Sequence, residues 1–266
     1  MLTVNTQYAE AEVLLSVTMG FDNSAESEAA LADVTLLPGT SNQITVDFLR
    51  AHSMATCTGV SGDSEIVNLQ MNGQSIAVSG QPNQTVSVPG VLTLVINEET
   101  SSSGGGTNSI TVNALDLTLL NGIGIIVSSA HSDITCGSNQ PTPTAKDFMT
   151  GGGFITTNNA KDNFGFVAGL KPGQTTPSGQ LNYVDHGTGM HVKSSDITQY
   201  SGNGNCRTFS GPASVDDQSG YTFTVTACDN RDSGSGGSTF SLTLSPPTNG
   251  YTASGPLSGG NIELHT

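Results

Sequence analysis

Short runs of alternating apolar and polar residues, separated by turns rich in Gly, Asn and Pro, recur along the whole chain. The clearest is Tyr221-Thr222-Phe223-Thr224-Val225-Thr226, which has period two and one face to bury. Asn72-Gly73 separates the runs 65–69 and 75–78 and is a strong hairpin signal. A further strand at 85–88 ends at Pro89-Gly90. In the second half, turns fall at 171–173, 187–189, 216–220 and 234–237. Between them the aromatic residues Phe154, Phe164, Phe166, Tyr183, Tyr200, Phe209, Tyr221, Phe223 and Phe240 serve as core anchors. The best helical stretch is 25–32, rich in Ala and Glu, and it predicts a short helix at most. The N-terminal segment 2–15 alternates as a strand, with Val4, Thr6 and Tyr8 on one face. The pattern predicts an all-β protein of two antiparallel β-sandwich or barrel-like domains.

The first of these contains an internal duplication. Asp33-Val34-Thr35-Leu36-Leu37-Pro38-Gly39 matches Asp116-Leu117-Thr118-Leu119-Leu120-Asn121-Gly122, and Ala51-His52-Ser53-Met54-Ala55-Thr56-Cys57 matches Ala130-His131-Ser132-Asp133-Ile134-Thr135-Cys136. The offset is 83 residues at the first match and 79 at the second, so one copy has a turn four residues longer. The runs 13–17 and 91–95 supply first strands. Each copy then reads as a three-strand meander ending in a cysteine, and two such meanders facing each other make a sandwich. The predicted organisation is a β-sandwich over 1–137, a Pro/Thr linker over 138–146, and a second antiparallel β domain over 147–266.

Composition sharpens this picture. Thirty-three glycines fit many tight turns. Charged residues are 11% of the chain, against about a quarter in ordinary domains. The net charge is −15, and the seven cations are Arg50, Lys146, Lys161, Lys171, Lys193, Arg207 and Arg231, no two close enough to form a basic patch. Phosphate and anionic lipid surfaces would be repelled, which argues against a nucleic-acid partner. No apolar stretch is long enough for membrane insertion as a helix. The four cysteines have spacings that match no zinc pattern. Equivalent positions in the repeat favour Cys57–Cys136, and symmetry about a turn near Asp217 favours Cys206–Cys228. Two disulfides imply an oxidising, extracellular compartment. The opening residues lack the regions of a signal peptide, so secretion implies a signal outside this sequence.

The run 130–136, with Ser109-Ile110-Thr111-Val112-Asn113-Ala114-Leu115 before it, resembles the choice-of-anchor β domains of bacterial surface proteins. Four further stretches resemble the domain that often follows them: Asp147-Phe148-Met149-Thr150-Gly151-Gly152-Gly153, Phe164-Gly165-Phe166, the run 181–190, and the run 258–265. The resemblance implies a β architecture at a bacterial cell surface and transfers no catalytic residue. One loop departs from the family's Asp-Asn-Gly-Glu-Pro-Gly and reads Asp229-Asn230-Arg231-Asp232-Ser233-Gly234.

Candidate chemistry is sparse. His186 and His191 flank a four-residue loop, where opposite positions on a hairpin would let both imidazoles share a transition metal. Asp229 and Asp232 offer oxygen ligands that would suit Ca²⁺, and Asp216-Asp217 is another acidic turn, although neither loop matches an EF-hand. His52 and His131 are explained by the duplication. There is no Gly-x-Ser-x-Gly elbow, and the expected resident cofactors are none, with Ca²⁺ the exception to test. The expectation is a non-catalytic extracellular protein: a surface, matrix, adhesive or filament-forming subunit. Its partner would be itself, through exchange of the strand carrying Val4, Thr6 and Tyr8. The alternatives are a carbohydrate- or ligand-binding module and a secreted metal-dependent enzyme.

Overall fold

The computed structural model describes residues 2–20, 23–136, 147–170, 174–230, 237–245 and 250–266. The predicted linker 138–146 lies outside these. The chain divides into two compact units, 3–143 and 144–266, the latter with residues 1–2. Among the described residues there is no helix.

The first unit is a sandwich. One sheet contains β1 (Leu2–Asn5), β2 (Ala9–Gly20), β3 (Ser24–Leu36), β4 (Ile44–Thr56), β5 (Gly59–Val67), β6 (Gln70–Met71) and β7 (Gln74–Ser75). Its order is β1-β2-β3-β4-β6-β7, with β5 also on β4. The other contains β8 (Gln84–Val88), β9 (Leu92–Gly104), β10 (Thr107–Leu119) and β11 (Gly124–Thr135), in the order β11-β10-β9-β8. Asn72 and Gly73 both take positive φ in the β6–β7 turn, as an Asn-Gly hairpin requires.

Each copy of the repeat forms a meander, β2-β3-β4 in one sheet and β9-β10-β11 in the other. Three of the four extra residues sit in the turn, 37–43 against 120–123, and the fourth lengthens β4. Val34, Leu36, Ile44, Val46, Leu49 and Ala51 from the first sheet pack on Leu94, Ile96, Ile110, Val112, Leu115 and Leu117 from the second. Between β4 and β11 the copies meet at equivalent positions. The Ser53 and Ser132 hydroxyls lie 2.9 Å apart, and Cys57 is bonded to Cys136. Both pairs are separated by 79 residues, so the strands run alongside each other in the same sense about a local two-fold.

Two expectations need correction here. Residues 25–32 lie inside β3, paired with β2 and β4 on its two sides. Helix propensity is a weak preference, and a strand flanked by two partners pairs its backbone on both sides while burying Ala30 and Ala32. Residues 2–15 are not one strand. The Thr6 hydroxyl accepts from the Tyr8 and Ala9 amides and donates to the Ala9 carbonyl. This local bonding turns the chain between β1 and β2.

The second unit is a closed barrel. Its strands are β12 (Asp147–Thr157), β13 (Ala160–Leu170), β14 (Ser178–Asp185), β15 (Met190–Ser194), β16 (Gln199–Asn203), β17 (Cys206–Val215), β18 (Gln218–Cys228), β19 (Thr239–Ser245) and β20 (Thr252–His265). Eight of them close in up-and-down order, with β12 beside β20 and β15 beside β17, while β16 extends alongside β17. Phe164, Phe166, Tyr183, Phe209, Phe223 and Phe240 fill the interior. Phe164 stacks on Phe240 with ring centroids 4.0 Å apart. A barrel of this strand number has an interior that side chains can fill.

Glycine makes the closing seam possible. In the β12–β20 register, Gly153 faces Gly260 and Phe154 faces Gly259. A Cβ on Gly260, where φ is +102°, would lie 2.2 Å from the Gly152 carbonyl oxygen. A Cβ on Gly153 would lie 2.4 Å from the Gly259 carbonyl oxygen. The hairpin β17–β18 turns at Asp216 and Asp217, both at positive φ, and places Cys206 directly opposite Cys228. The two are bonded. Gly220 is taken up as a bulge between Ser219 and Tyr221, which restores the register.

Candidate functional site

Among the described residues, charged and polar side chains converge at several places, and two of them, one in each unit, pair groups with opposed proton affinities or bind an imidazolium. In the sandwich, the register sets Glu28, His52 and Asp63 opposite one another across β3, β4 and β5. Asp63 accepts from His52 Nδ1 at 3.0 Å and from Arg50 at 2.8 Å. The other imidazole nitrogen lies 3.3 Å from Glu26 Oε1. Loss of solvation disfavours a charged ring, but hydrogen bonds to Asp63 and Glu26 outweigh it and raise the pKa to about 10. Burial would raise the pKa of Asp63. Its bond to His52 and the charge of Arg50 hold it below the ordinary carboxylate range instead. At neutral pH His52 is therefore an imidazolium with both nitrogens occupied, which suits it to bind strands together and not to act as a base. Its repeat equivalent His131 is exposed and meets Thr111 Oγ1 at 2.8 Å. The duplication thus accounts for the position of His52 and not for its setting. Asp63 belongs to β5, which lies outside the repeat, and sequence spacing gives no sign that it reaches His52.

The second cluster lies at the end of the barrel where β13 begins and β14 ends. Asp162, Tyr183 and Asp185 continue the inward-facing series of the aromatic core. The Tyr183 and Tyr251 hydroxyls are 2.6 Å apart, and Tyr251 donates to Asp185 at 3.1 Å. Asp185 also accepts from the Gly187 and Thr188 amides at 2.7 and 3.0 Å. Burial would raise its pKa, but hydrogen bonds from Thr188, Tyr251 and Gly187 hold it low. Asp162 moves the other way. Burial raises its pKa, the neighbouring Asp185 charge adds to the rise, and bonds from Thr157 and Tyr183 only moderate it. Burial also raises the pKa of both tyrosines. Two nearby carboxyl groups thus differ in their tendency to hold a proton, the pattern of a proton donor beside a fixed anion. Nothing in the local sequence marks Asp162, because its meaning depends on the pairing of β13 with β14.

The anticipated histidine pair does not form as a cross-strand pair. The β14–β15 register closes at Asp185 and Met190, which sets His191 opposite Val184 and leaves His186 in the turn. Asp185 causes this by gathering the amides of 187 and 188 under its carboxylate. His186 Nε2 instead meets Asn163 Nδ2 at 2.8 Å. The His191 amide donates to Asp216 at 2.9 Å. Asp229 spends one carboxylate oxygen on the Leu264 amide, tying β18 to the end of β20. Asp232 lies outside the described residues.

Of the proposed assembly residues, Val4 belongs to the edge strand β1 and Thr6 makes the turn that follows it. Tyr8 lines a groove at the end of the sandwich with Leu37, Val91 and Leu120.

No family model matches the chain, and no curated protein matches it. Among solved structures, one match is the crystal structure of a "putative AttH" from Nitrosomonas europaea. It is 8% identical, covers 97% of this chain and 92% of its own, and superposes with a TM-score of 0.21.

Proposed function

We propose that this chain is a non-catalytic, extracellular structural subunit that associates with copies of itself, of the kind found at bacterial surfaces. The observation that carries this reading is the contrast in how the two units end their sheets. Eight strands of the barrel close on themselves, and the five-residue β16 adds a short edge beside β17. The sandwich stops on β1 and β7 in one sheet and on β8 and β11 in the other. Open edges are templates for backbone pairing with another chain; β1, β7 and β8 are short, at 4, 2 and 5 residues, and the 12-residue β11 is the long edge on offer. Two disulfides fit service in an oxidising compartment. Light scattering across a concentration series, followed by negative-stain microscopy, tests the reading. Concentration-dependent growth to regular assemblies is expected. A chain that stays monomeric throughout refutes it.

A second reading draws on Asp162 and Asp185. Barrel mouths commonly hold ligands, and two carboxyl groups with opposed proton affinities suit a polar one. Thermal-shift measurements with divalent cations and soluble glycans test it. A rise in melting temperature that Asp162→Asn removes would favour it.

A further inference from the structure

Both copies of the repeat contribute to the groove at the sandwich end. Tyr8 and Leu37 come from the first copy, Val91 and Leu120 from the second. These are two pairs of equivalent residues, each 83 apart, the offset between 33–39 and 116–122 and between the pairings Ala9 with Leu36 and Leu92 with Leu119. The backbone repeats the relation. The Leu37 amide donates to the Tyr8 carbonyl at 2.8 Å, and the Leu120 amide to the Val91 carbonyl at 2.9 Å. The groove therefore straddles the local two-fold that also relates Ser53 to Ser132.

The side chains break that symmetry. Leu37 is 8% exposed and forms floor, while Leu120 is 76% exposed and stands at the rim. A projecting leucine and an opening of about 550 Å³ thus lie side by side on one face. Val91, also at the rim, is 37% exposed. Gln7, Thr40, Asn42 and Asn121 also line the opening, and among the described residues no Asp, Glu, Lys or Arg does.

We infer that a second copy of this chain docks here, each copy's Leu120 entering the other's groove. A knob beside its own hole is self-complementary under a two-fold axis, so the contact closes as a dimer. Charge selects the occupant. Two chains of net charge −15 repel over most of their surfaces, and an uncharged, largely apolar face is where they can meet without bringing carboxylates together. A basic partner would be drawn to the carboxylates elsewhere. This inference rests on the self-association reading and gives it a particular surface.

The test is analytical ultracentrifugation of the full, oxidised chain at low and high salt. Wild type is compared with Leu120→Glu, Val91→Glu and the control Leu120→Met. Circular dichroism checks that each variant is folded, which the exposure of both positions favours. A monomer–dimer equilibrium is expected that strengthens with salt, as self-repulsion is screened. Either glutamate should weaken it roughly 30-fold or more, as at an interface hot spot, and methionine should preserve it. Dimerisation of Leu120→Glu at the wild-type affinity overturns the inference. So does a wild-type chain that is monomeric at every concentration and salt. Capture of wild-type monomers by neutral phosphatidylcholine vesicles, lost in Leu120→Glu, would mark the face as a lipid contact and also overturn it. Larger assemblies that persist in Leu120→Glu would sink this surface and leave the structural-subunit reading standing. Dimers lost in Leu120→Glu, with nothing longer at any concentration, would do the reverse for filament growth at open edges.

Discussion

Removing the Cys57–Cys136 bond, by Cys57→Ser with Cys136→Ser, should cost the sandwich more than the corresponding change costs the barrel. The two bonded positions are 79 residues apart in the sandwich and 22 apart in the barrel. In the chain-entropy account, a cross-link stabilises by restricting the unfolded chain, and the restriction grows with the logarithm of the loop. For loops of these sizes it amounts to about 4.5 and about 3.4 kcal/mol at 25 °C. With a urea dependence of about 2 kcal/mol per molar, the first change lowers the midpoint of the sandwich by about 2 M. The chain offers a way to tell its units apart. It has no tryptophan, and of its five tyrosines only Tyr8 lies before residue 183. Tyrosine fluorescence therefore follows the barrel, while far-ultraviolet circular dichroism follows both units. In the Cys57/Cys136 double variant, the dichroism should lose amplitude at lower urea while the fluorescence transition stays in place. If the variant unfolds within about 1 kcal/mol of wild type, loop closure is not what the bond supplies. If the Cys206/Cys228 variant is the more damaged, the ordering argument is wrong.

Three further outcomes follow from side chains already described. His52→Gln should destabilise the sandwich most below pH 6.5, where the wild-type ring is charged in folded and unfolded chains alike. The raised pKa means this stabilisation fades as the pH climbs towards about 10, so melting temperatures of the two proteins at pH 5, 7.5 and 9.5 should converge at the alkaline end. A difference that grows with pH would contradict the imidazolium assignment. Asp162→Asn should stabilise the barrel at pH 7, where the folded state resists ionisation that the unfolded state allows, and the gain should vanish near pH 3, where the wild-type carboxyl is protonated in both states. Thermal melts followed by tyrosine fluorescence check both halves of that statement. Gly260→Ala should cost the barrel on the order of 3 kcal/mol through its left-handed backbone and the Gly152 carbonyl in the way, and unchanged urea unfolding would remove the argument for the seam.

Much of the architecture can be read from sequence because it is local or repeated. Alternation at 221–226 marks β18, and Asn72-Gly73 marks a hairpin, from residues within a few positions of each other. The repeat carries long-range information of a simple kind, since equivalent residues meet across a local two-fold. That is why Cys57 and Cys136 can be paired on paper. The remainder depends on register. Residues 25–32 look helical until two neighbouring strands claim their backbone. His186 and His191 look paired until Asp185 fixes where the hairpin turns. The association of His52 with Asp63, and of Asp162 with Asp185, depends on which residue lies opposite which across neighbouring strands. A one-residue slip would undo either. The Gly151-Gly152-Gly153 run is visible in sequence, but its purpose appears only once Gly259 and Gly260 are seen opposite it.

For a protein held at one end and loaded at the other, the bond between Cys57 and Cys136 decides how far it can stretch. A fully extended segment of 79 residues spans roughly 270 Å. While the bond is intact, that length cannot be drawn out, and tension passes directly from β4 to β11 through the sulfur atoms. Only the strands before Cys57 and the chain after Cys136 can yield. Reduction would release the stored length in one step, visible under single-molecule pulling as a longer contour. The same duplication that places two cysteines side by side thereby removes the 79-residue stretch between them from the length that the sandwich can give up.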